Sequence, residues 1–361
     1  MNFQNTALSL FSGCGGDTLG LERAGFKVIG FSELNKKFAS SHLANFPDSA
    51  YIMNAANTTS DITKIEDAQI TPYKDKIDII FAGFPCQGFS NAGKKAPTDP
   101  RNQLYQQFVR ATKLVRPLFI IGENVQGLER MKSGPKETDP MMIDCIKSAF
   151  EAIGYTLTYK VQEATAFGVP QKRKRVVIVG WDKERVTEFN TGEFWKSVNT
   201  LGAANPMPKL RSFVTNTMEG AYPIPTEFVP EGFADYALAV AQDTPTTGTP
   251  HSYVKLKTDS DLLSCTKRVS AIHSEIVDLD APSKTIICTY GHQPRLLVGL
   301  RKPDGAAFAR SMTPDELKRI QGFPAEYILN GTLSEKIIQI GNAVPPPMIT
   351  AVAAAVRAAF T

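Results

Sequence analysis

The sequence predicts an α/β fold with a mostly parallel, Rossmann-like sheet and a second, smaller and irregular domain. The chain opens with a strand, a glycine-rich turn and a helix, which is the first unit of a nucleotide-binding sheet. Two isoleucine-rich runs, 77–82 and 118–121, are typical of buried strands. Seven prolines between 205 and 250 then interrupt any periodic pattern. We therefore assign the sheet to residues 1–182, completed by a C-terminal helix within 331–361, and the irregular domain to 183–330.

Composition limits the class of protein. The 361 residues include 42% hydrophobic and 21% charged residues, which is ordinary for a folded chain, and a net charge of +4 permits a polyanionic partner. The five cysteines are scattered without zinc-ligand spacing, so we predict free thiols, a reducing compartment and no metal site. No signal-peptide pattern and no apolar run of about 20 residues is present, so we expect a protein of the cytoplasm that does not enter a membrane.

The first strand, Thr6 to Phe11, leads into a turn that contains Gly13, Gly15 and Gly16. Asp17 is predicted to cap the helix that follows. The turn is not the dinucleotide fingerprint, because Thr18 occupies the place of the third glycine. Many glycine turns of this kind are only tight turns, so the turn alone does not establish a ligand site.

A second strand ends at Glu33, twenty residues after Gly13. An acid at that distance is placed to accept hydrogen bonds from both hydroxyls of an adenosine ribose. Further along, Asp61 could accept a hydrogen bond from an adenine amine or could serve as a helix N-cap. The residues alone leave both interpretations of Asp61 open.

Cys86 lies on the loop Gly83–Ser90, directly after the predicted strand 77–82. The carboxyl ends of strands are where open α/β sheets bind ligands. A lone cysteine is most often a small buried hydrophobe. Pro85 before it and Gln87 after it make a poor core lining, however, which favours a nucleophile.

Two further polar features are expected at the same edge of the sheet. Glu123 follows the strand 118–121, although an acid beyond an apolar strand is often only a cap. The basic run 171–175 leads into the strand 176–180, so Arg173 and Arg175 should point to one side together. Basic runs are usually solvated surface, but this one enters a buried strand.

These groups suggest methyl transfer to a cytosine ring. S-adenosylmethionine (SAM) requires an adenosine pocket but no phosphate cradle, which suits this turn better than NAD does. Addition of a thiolate to carbon 6 of cytosine makes carbon 5 enamine-like, and a glutamate bonded to ring nitrogen 3 stabilises the developing charge. Because a duplex hides the base, it must be flipped out first.

The sequence resembles the DNA (cytosine-5) methyltransferase family of prokaryotic type. The resemblance covers nearly the whole chain except about 182–285. It rests on ordered blocks, which are Leu10–Gly16, Glu33, Gly83–Ser90, Glu123–Val125, Gln171–Arg175, Arg310–Pro314 with Gln321–Pro324, and Gly341–Pro346. The family places a variable target-recognition region in the uncovered interval, where ten basic and fourteen acidic residues give a net charge of −4.

The resemblance implies a role for each matched residue. Cys86 is implied as the nucleophile, Glu123 as the group that holds and protonates the ring, and Arg173 and Arg175 as the arginines that hold Glu123 and the base. Arg310 is implied to organise the target-recognition domain. The implied residues for SAM are Phe11, Gly13, Gly15, Gly16, Glu33, Asp61, Ile62, Pro85, Leu104 and Asn342.

The implied substrate is cytosine within a short sequence of double-stranded DNA. The residues predicted to contact DNA are Gln87, Ser90, Lys94, Lys95, Lys255, Lys257, Lys267 and Arg268. We expect a monomer, near the nucleoid if the source is prokaryotic, with a restriction endonuclease as functional partner.

Two departures from the family and two rival functions remain. Ser9 stands where many members have aspartate, and the family's Gly-Asp-Ile block is represented only by Ser60-Asp61-Ile62. The tRNA-cytosine branch shares the motifs, but its Cys-Phe-Thr signature is absent. A sequence-binding regulator without activity would have no use for the intact set of Cys86, Glu123 and the two arginines.

Overall fold

A computed structural model of the chain describes residues 3–85, 103–248, 275–291 and 294–359. These residues form two units. The first consists of residues 1–167, 174–205 and 343–361, and the second of residues 168–173 and 206–342.

The described part of the first unit is built on a seven-stranded sheet with the order β3-β2-β1-β4-β5-β8-β6. Strands β1 to β5 are parallel, whereas β8 runs antiparallel to both β5 and β6. The strands are β1 Thr6–Leu10, β2 Lys27–Ser32, β3 Ala50–Tyr51, β4 Ile79–Ala82, β5 Phe119–Val125, β6 Tyr155–Glu163 and β8 Lys174–Asp182. The chain order reverses between β1 and β4, and ligands of open α/β sheets bind at such a switch point. The predicted seven-stranded α/β sheet is confirmed.

The central strands form because their residues are apolar on both faces. All four residues of β4 and the first four of β5 are buried, as expected for parallel strands covered by helices on both sides. The helices of the first unit are α1 Gly16–Arg23, α2 Lys36–Asn45, α3 Asp67–Ile70, α4 Tyr105–Val115, α5 Met142–Glu151, α6 Thr191–Ala203 and α10 Pro346–Ala358. Helix α10 packs against both α1 and α6.

The second unit contains a small mixed sheet of five strands and a two-stranded pair. Its strands are β7 Gln171–Lys172, β9 Tyr222–Pro223, β10 Leu238–Ala239, β11 Glu275–Ile276, β12 Ser283–Lys284, β13 Leu296–Arg301 and β14 Ala307–Ser311. Its helices are α7 Phe233–Tyr236, α8 Pro314–Ile320 and α9 Leu333–Asn342. The hairpin of β13 and β14 supplies the longest strands, and Phe233 from α7 and Ile224 pack in its apolar cluster.

The boundaries differ from the predicted ones in three places. Residues 183–205 belong to the first unit, because Asn190 caps α6 with its side chain and α6 packs against α10. Residues 168–173 belong to the second unit, because β7 pairs with β12. Residues 331–342 also belong to the second unit, because α9 packs against α8.

Two local predictions are wrong. Asp17 does not cap α1: the N-cap is Gly15 in the left-handed region, with no side-chain cap bond, and Asp17 is buried in the first helical turn. The expected regular segment 283–289 is a strand only at Ser283–Lys284, which is followed by a turn. By contrast, Thr313 begins α8 as predicted, with a capping box that includes Glu316.

One stretch, Leu333–Ala358, has the length and hydropathy of a membrane span. It is interrupted between α9 and α10, at residues 343–345, and 67% of its most apolar window is buried. Burial explains the apolar character of these helices without a membrane.

Candidate active site

The turn after β1 reverses direction through left-handed backbone. Phe11, Gly13 and Gly15 have φ angles of 56°, 56° and 89°. Glycine adopts this region freely, whereas a phenylalanine there is strained. Strained backbone of this kind clusters at ligand sites, and Phe11 also packs against the core cluster that contains buried Ile62.

Glu33 closes this turn from the end of β2. Its two carboxylate oxygens accept hydrogen bonds from the backbone N–H groups of Gly13, at 2.8 Å, and Asn35, at 2.7 Å. Its own backbone is fixed by the hydroxyl of Tyr51, which donates to the Glu33 carbonyl, and by Ser60, which accepts from the Glu33 N–H. Burial raises the pKa of Glu33, and these amide bonds offset part of that rise.

The Glu33 carboxylate fits the ribose of the expected cofactor. A carboxylate has about four lone-pair positions, and the two amide donors occupy one on each oxygen. One position on each oxygen remains for a ribose hydroxyl. The same amide bonds fix the carboxylate orientation before a ligand arrives, which lowers the ordering cost of binding.

We expect Glu33→Ala to weaken SAM binding by about 1–3 kcal/mol, because both ribose hydroxyls would lose their acceptor. Isothermal titration calorimetry without DNA measures the effect. Asp48→Ala is the matched control, since Asp48 is a carboxylate of the same unit whose side chain is 83% exposed. Unchanged affinity in a folded Glu33→Ala protein would reject the ribose assignment.

His42 supports the same turn and was missed by the sequence reasoning. It is fully buried, stacks on Phe31 with a centroid distance of 3.7 Å, and its Nδ1 lies 3.0 Å from the Ser12 hydroxyl. Burial lowers the pKa of His42 to about 3, so the imidazole is neutral at physiological pH. A histidine on an amphipathic helix carries no sequence signal for this contact.

The other predicted cofactor residues occupy different settings. Asp61 accepts hydrogen bonds from the N–H and the hydroxyl of Thr63 and so closes a turn, without beginning an α-helix. Leu104 is half-buried at the N-cap position of α4. Asn342 is the exposed last residue of α9 and belongs to the second unit. Their contacts with SAM stay predictions.

Glu123 and Arg175 form an ion pair at the edge of the sheet. Arg175 Nε lies 2.8 Å from Glu123 Oε1, and both side chains are 12% exposed. The pairing of β5 with β8 makes this possible, because it places Val125 opposite Arg175 and Glu123 opposite Val177. Burial lowers the pKa of Arg175, and the Glu123 carboxylate opposes that shift. The arginine therefore orients the glutamate, as predicted from the resemblance.

The strand that leads to Cys86 ends beside this pair. A Cβ atom on Gly83 would lie 3.8 Å from Glu123 Oε2, so the absence of a side chain at Gly83 leaves that oxygen room for a ligand. The Asn124 side chain donates to the carbonyl of Phe84 at 3.1 Å and ties the end of β5 to this loop. The described residues thus bring Pro85 and Glu123 to one edge of the sheet. That edge can hold a flat, hydrogen-bonding ring against an oriented carboxylic acid.

Arg173 has a different setting from Arg175. It is 1% exposed, and its two terminal nitrogens donate to the backbone carbonyls of Ile286, at 3.1 Å, and Gly341, at 3.0 Å. These contacts lie within the second unit. The expected role of Arg173 in holding Glu123 and the base therefore stays a prediction, beside an observed role in holding two backbone segments together.

The predicted nucleophile and the predicted DNA contacts lie outside the described residues. They are Cys86, Gln87, Ser90, Lys94, Lys95, Lys255, Lys257, Lys267 and Arg268.

Comparisons with known proteins assign the family. The family model of the C-5 cytosine-specific DNA methylase matches residues 5–358. The chain is 30% identical to Type II methyltransferase M1.HphI from Haemophilus parahaemolyticus, over 97% of this chain and 86% of that protein. It is 29% identical to Type II methyltransferase M.Eco47II from Escherichia coli, over 94% of this chain and 76% of that protein.

Solved structures show the same fold. The methyltransferase EhMeth from Entamoeba histolytica matches with a TM-score of 0.63 at 16% identity, over 100% of both chains. A mutant of DNMT2 from Spodoptera frugiperda matches with a TM-score of 0.60 at 16% identity, over 96% of this chain and 97% of that one. The fold, the paired Glu123 and Arg175, and the family match over nearly the whole length agree. The chain therefore belongs to the C-5 cytosine-specific DNA methylase family, whose members use SAM to methylate carbon 5 of cytosine in DNA.

Proposed function

We propose that this methyltransferase modifies one cytosine within a short duplex sequence, through a flipped base and a covalent bond to Cys86. The observation that carries the proposal is the Glu123–Arg175 pair beside Gly83, three residues before Cys86. An oriented carboxylic acid next to an exposed loop thiol is the combination that activates an electrophilic ring.

The proposed steps follow from these residues. The Cys86 thiolate adds to carbon 6, and the Glu123 carboxyl, oriented by Arg175, donates to ring nitrogen 3 as electrons move onto the ring. The cofactor supplies the electrophilic methyl group, which carbon 5 of the activated ring takes up. Loss of the proton on carbon 5 then expels the Cys86 thiolate and restores the aromatic ring, so every bond made to the enzyme is broken again.

The base has to leave the duplex for this chemistry. Cys86 follows a strand end, and such a loop cannot reach carbon 6 of a stacked base. An extruded cytosine can instead place its Watson–Crick edge against Glu123. The uncovered Oε2 over Gly83 supports this arrangement, because one carboxylate oxygen pairs with Arg175 while the other stays available.

We further propose that the second unit selects the sequence. Segment 182–285 is net acidic, so it makes a poor general phosphate clamp. One bidentate base contact can still discriminate by about 1–3 kcal/mol without a large basic field. A monomeric, cytoplasmic enzyme paired with a restriction endonuclease fits the relatives, which are named Type II methyltransferases.

Methylation mapping tests this function. The chain is expressed in a host without cytosine methylation, and bisulfite sequencing of the host DNA should show full 5-methylcytosine at one position of one short sequence. Methylation of tRNA without methylation of DNA would contradict the proposal. Glu123→Gln is the loss-of-function comparison, because it keeps the shape of the side chain and removes the acid.

The same mapping separates affinity from sequence choice. Neutralising Lys94, Lys95, Lys172 and Lys174 should flatten the salt dependence of DNA binding by up to about 0.9 in slope per lost phosphate contact, with the methylated sequence unchanged. Substitutions at Lys255, Lys257, Lys267 or Arg268 should instead relax or redirect that sequence. The reverse outcome would refute the division. The control with equal charge change neutralises four lysines near the opposite edge of the sheet, which are Lys27, Lys74, Lys76 and Lys113.

A further inference from the structure

Asp17 is a buried carboxylate that the reaction described above does not use. It lies in the first turn of α1, immediately after the glycine turn, and is 3% exposed. The hydroxyl of Ser9, which is fully buried on β1, donates to Asp17 Oδ2. The carboxylate also accepts from the backbone N–H groups of residues 17 and 18. Within the described ranges, no lysine, arginine or histidine forms an ion pair with it.

No neighbouring element supplies a positive charge. The groups that act on Asp17 are Glu123 on β5 and the Cys14 thiol in the turn, and Glu33 at the end of β2 acts on that thiol in turn. On α10, which packs against α1, the one charged residue is Arg357, which donates to the Ala24 carbonyl at the far end of α1. Burial consequently raises the pKa of Asp17 to about 7, and the charge of Glu123 adds to the rise.

The position of Asp17 connects the two halves of the site. Ser9 is in register with Phe81, and Phe81 with Ile121, so Ser9 and Glu123 lie on the same face of the sheet. A cofactor whose ribose is held by Glu33 and whose methyl group is used beside Glu123 has to extend past β1 and β4. The amino-acid end of SAM, which carries an ammonium group, is the cationic group available there.

We propose that Asp17 is the counter-charge for the α-ammonium group of SAM, and that cofactor binding draws a proton off this carboxyl. A buried carboxylate without a cationic partner is costly, and a bound cation removes most of that cost. The inference rests on SAM as the cofactor of the family. It also accounts for Ser9, because the acid that many relatives place on the strand is here on the helix, joined to the strand position by a hydrogen bond.

Calorimetric SAM titrations of the full chain without DNA, between pH 6.0 and 7.5, test the proposal. If only the ionised carboxyl binds well, a group with a pKa of about 7 predicts a loss of about eightfold in affinity from pH 7.5 to 6.0. At pH 7.0 binding should release about half a proton, read from the dependence of the binding enthalpy on the buffer. Neither His42 nor Cys14 titrates in this range, since their pKa values are about 3 and about 12.

Ligands and variants separate a direct role from a structural one. S-adenosylhomocysteine keeps the ammonium and must show the same pH slope, whereas 5′-methylthioadenosine lacks it and must show none. Asp17→Asn should bind weakly with a flat profile, and the exchange Ser9→Asp with Asp17→Ser should recover affinity. Glu22→Gln, an exposed acid on the same helix, should behave as wild type.

The proposal is overturned if methylthioadenosine shows the full slope or if folded Asp17→Asn keeps it. If Asp17→Asn fails to fold, the comparison of the three ligands on the wild-type chain still decides. Absence of any SAM binding at pH 7.5 would instead contradict the assigned cofactor, so the two failures are distinguishable.

Discussion

Cys86→Ser should abolish methyl transfer and covalent capture of DNA together. Removal of a covalent nucleophile lowers turnover by several orders of magnitude, on the order of 10⁶ in a well-studied hydrolase. Serine is a poor substitute because its hydroxyl stays protonated near neutral pH, whereas a cysteine is a few per cent thiolate. Initial rates with tritiated SAM measure the loss.

Duplex DNA with 5-fluorocytosine at the target position provides the second readout. After methyl transfer, fluorine replaces the proton that must leave carbon 5, so the bond to Cys86 cannot be broken. The wild-type chain should give a SAM-dependent adduct that survives denaturing electrophoresis. Cys145→Ser, at a half-buried free cysteine, should still form this adduct. An adduct with the Cys86→Ser protein would disprove the assignment of the nucleophile.

Arg310→Met should destabilise the second unit by about 3–5 kcal/mol, the cost of leaving a buried charge without its partner. The Arg310 guanidinium is 1% exposed and binds both Glu316 oxygens, at 2.7 and 2.8 Å. It also donates to the backbone carbonyls of Thr215 and Thr217, while Thr215 donates back to Glu316. One arginine thus joins the start of α8 to the loop before β9, in agreement with the organising role implied for it.

Urea unfolding monitored by hydrogen exchange within the second unit measures this cost. The double variant Arg310→Met with Glu316→Leu should recover part of the loss, because an apolar pair leaves no buried charge behind. Disruption of the exposed pair Glu193–Lys196 is the control and should cost less than about 1 kcal/mol. A loss at Arg310 no larger than in the control would show that the pair is dispensable.

The pH dependence of this pair has a defined sign. Burial by itself would raise the pKa of Glu316, but the hydrogen bonds and charge of Arg310 outweigh it, so the pKa lies below the ordinary value. A group with a depressed pKa in the folded state contributes stability above its unfolded pKa of about 4.5 and loses it as the pH falls through the folded pKa. Glu316→Gln should therefore be most destabilising at neutral pH, with the gap to wild type closing under acid.

The sequence by itself determined the sheet and the chemistry at its edge. Strands β4 and β5 were predictable because a buried parallel strand has to be apolar on both faces, and its polar residues can begin only where the strand meets solvent. Glu33 and Glu123 were found by that rule, since each ends such a strand. Helix α6 was predictable too, because Asn190 precedes the apolar residues Phe194, Trp195 and Val198, although the proline-rich region beyond it obscured the signal.

The tertiary structure decided which partner each polar side chain has. Arg173 and Arg175 are two residues apart on one run, yet one binds the backbone of the second unit and the other binds Glu123. Asp17 had the local signature of a helix cap, but Gly15 in the left-handed conformation begins the helix and leaves Asp17 buried against Ser9. Local patterns record propensity and burial, whereas a charge pairs with whatever the packing brings within about 3 Å. That choice depends on residues distant in sequence, and only the folded chain makes it.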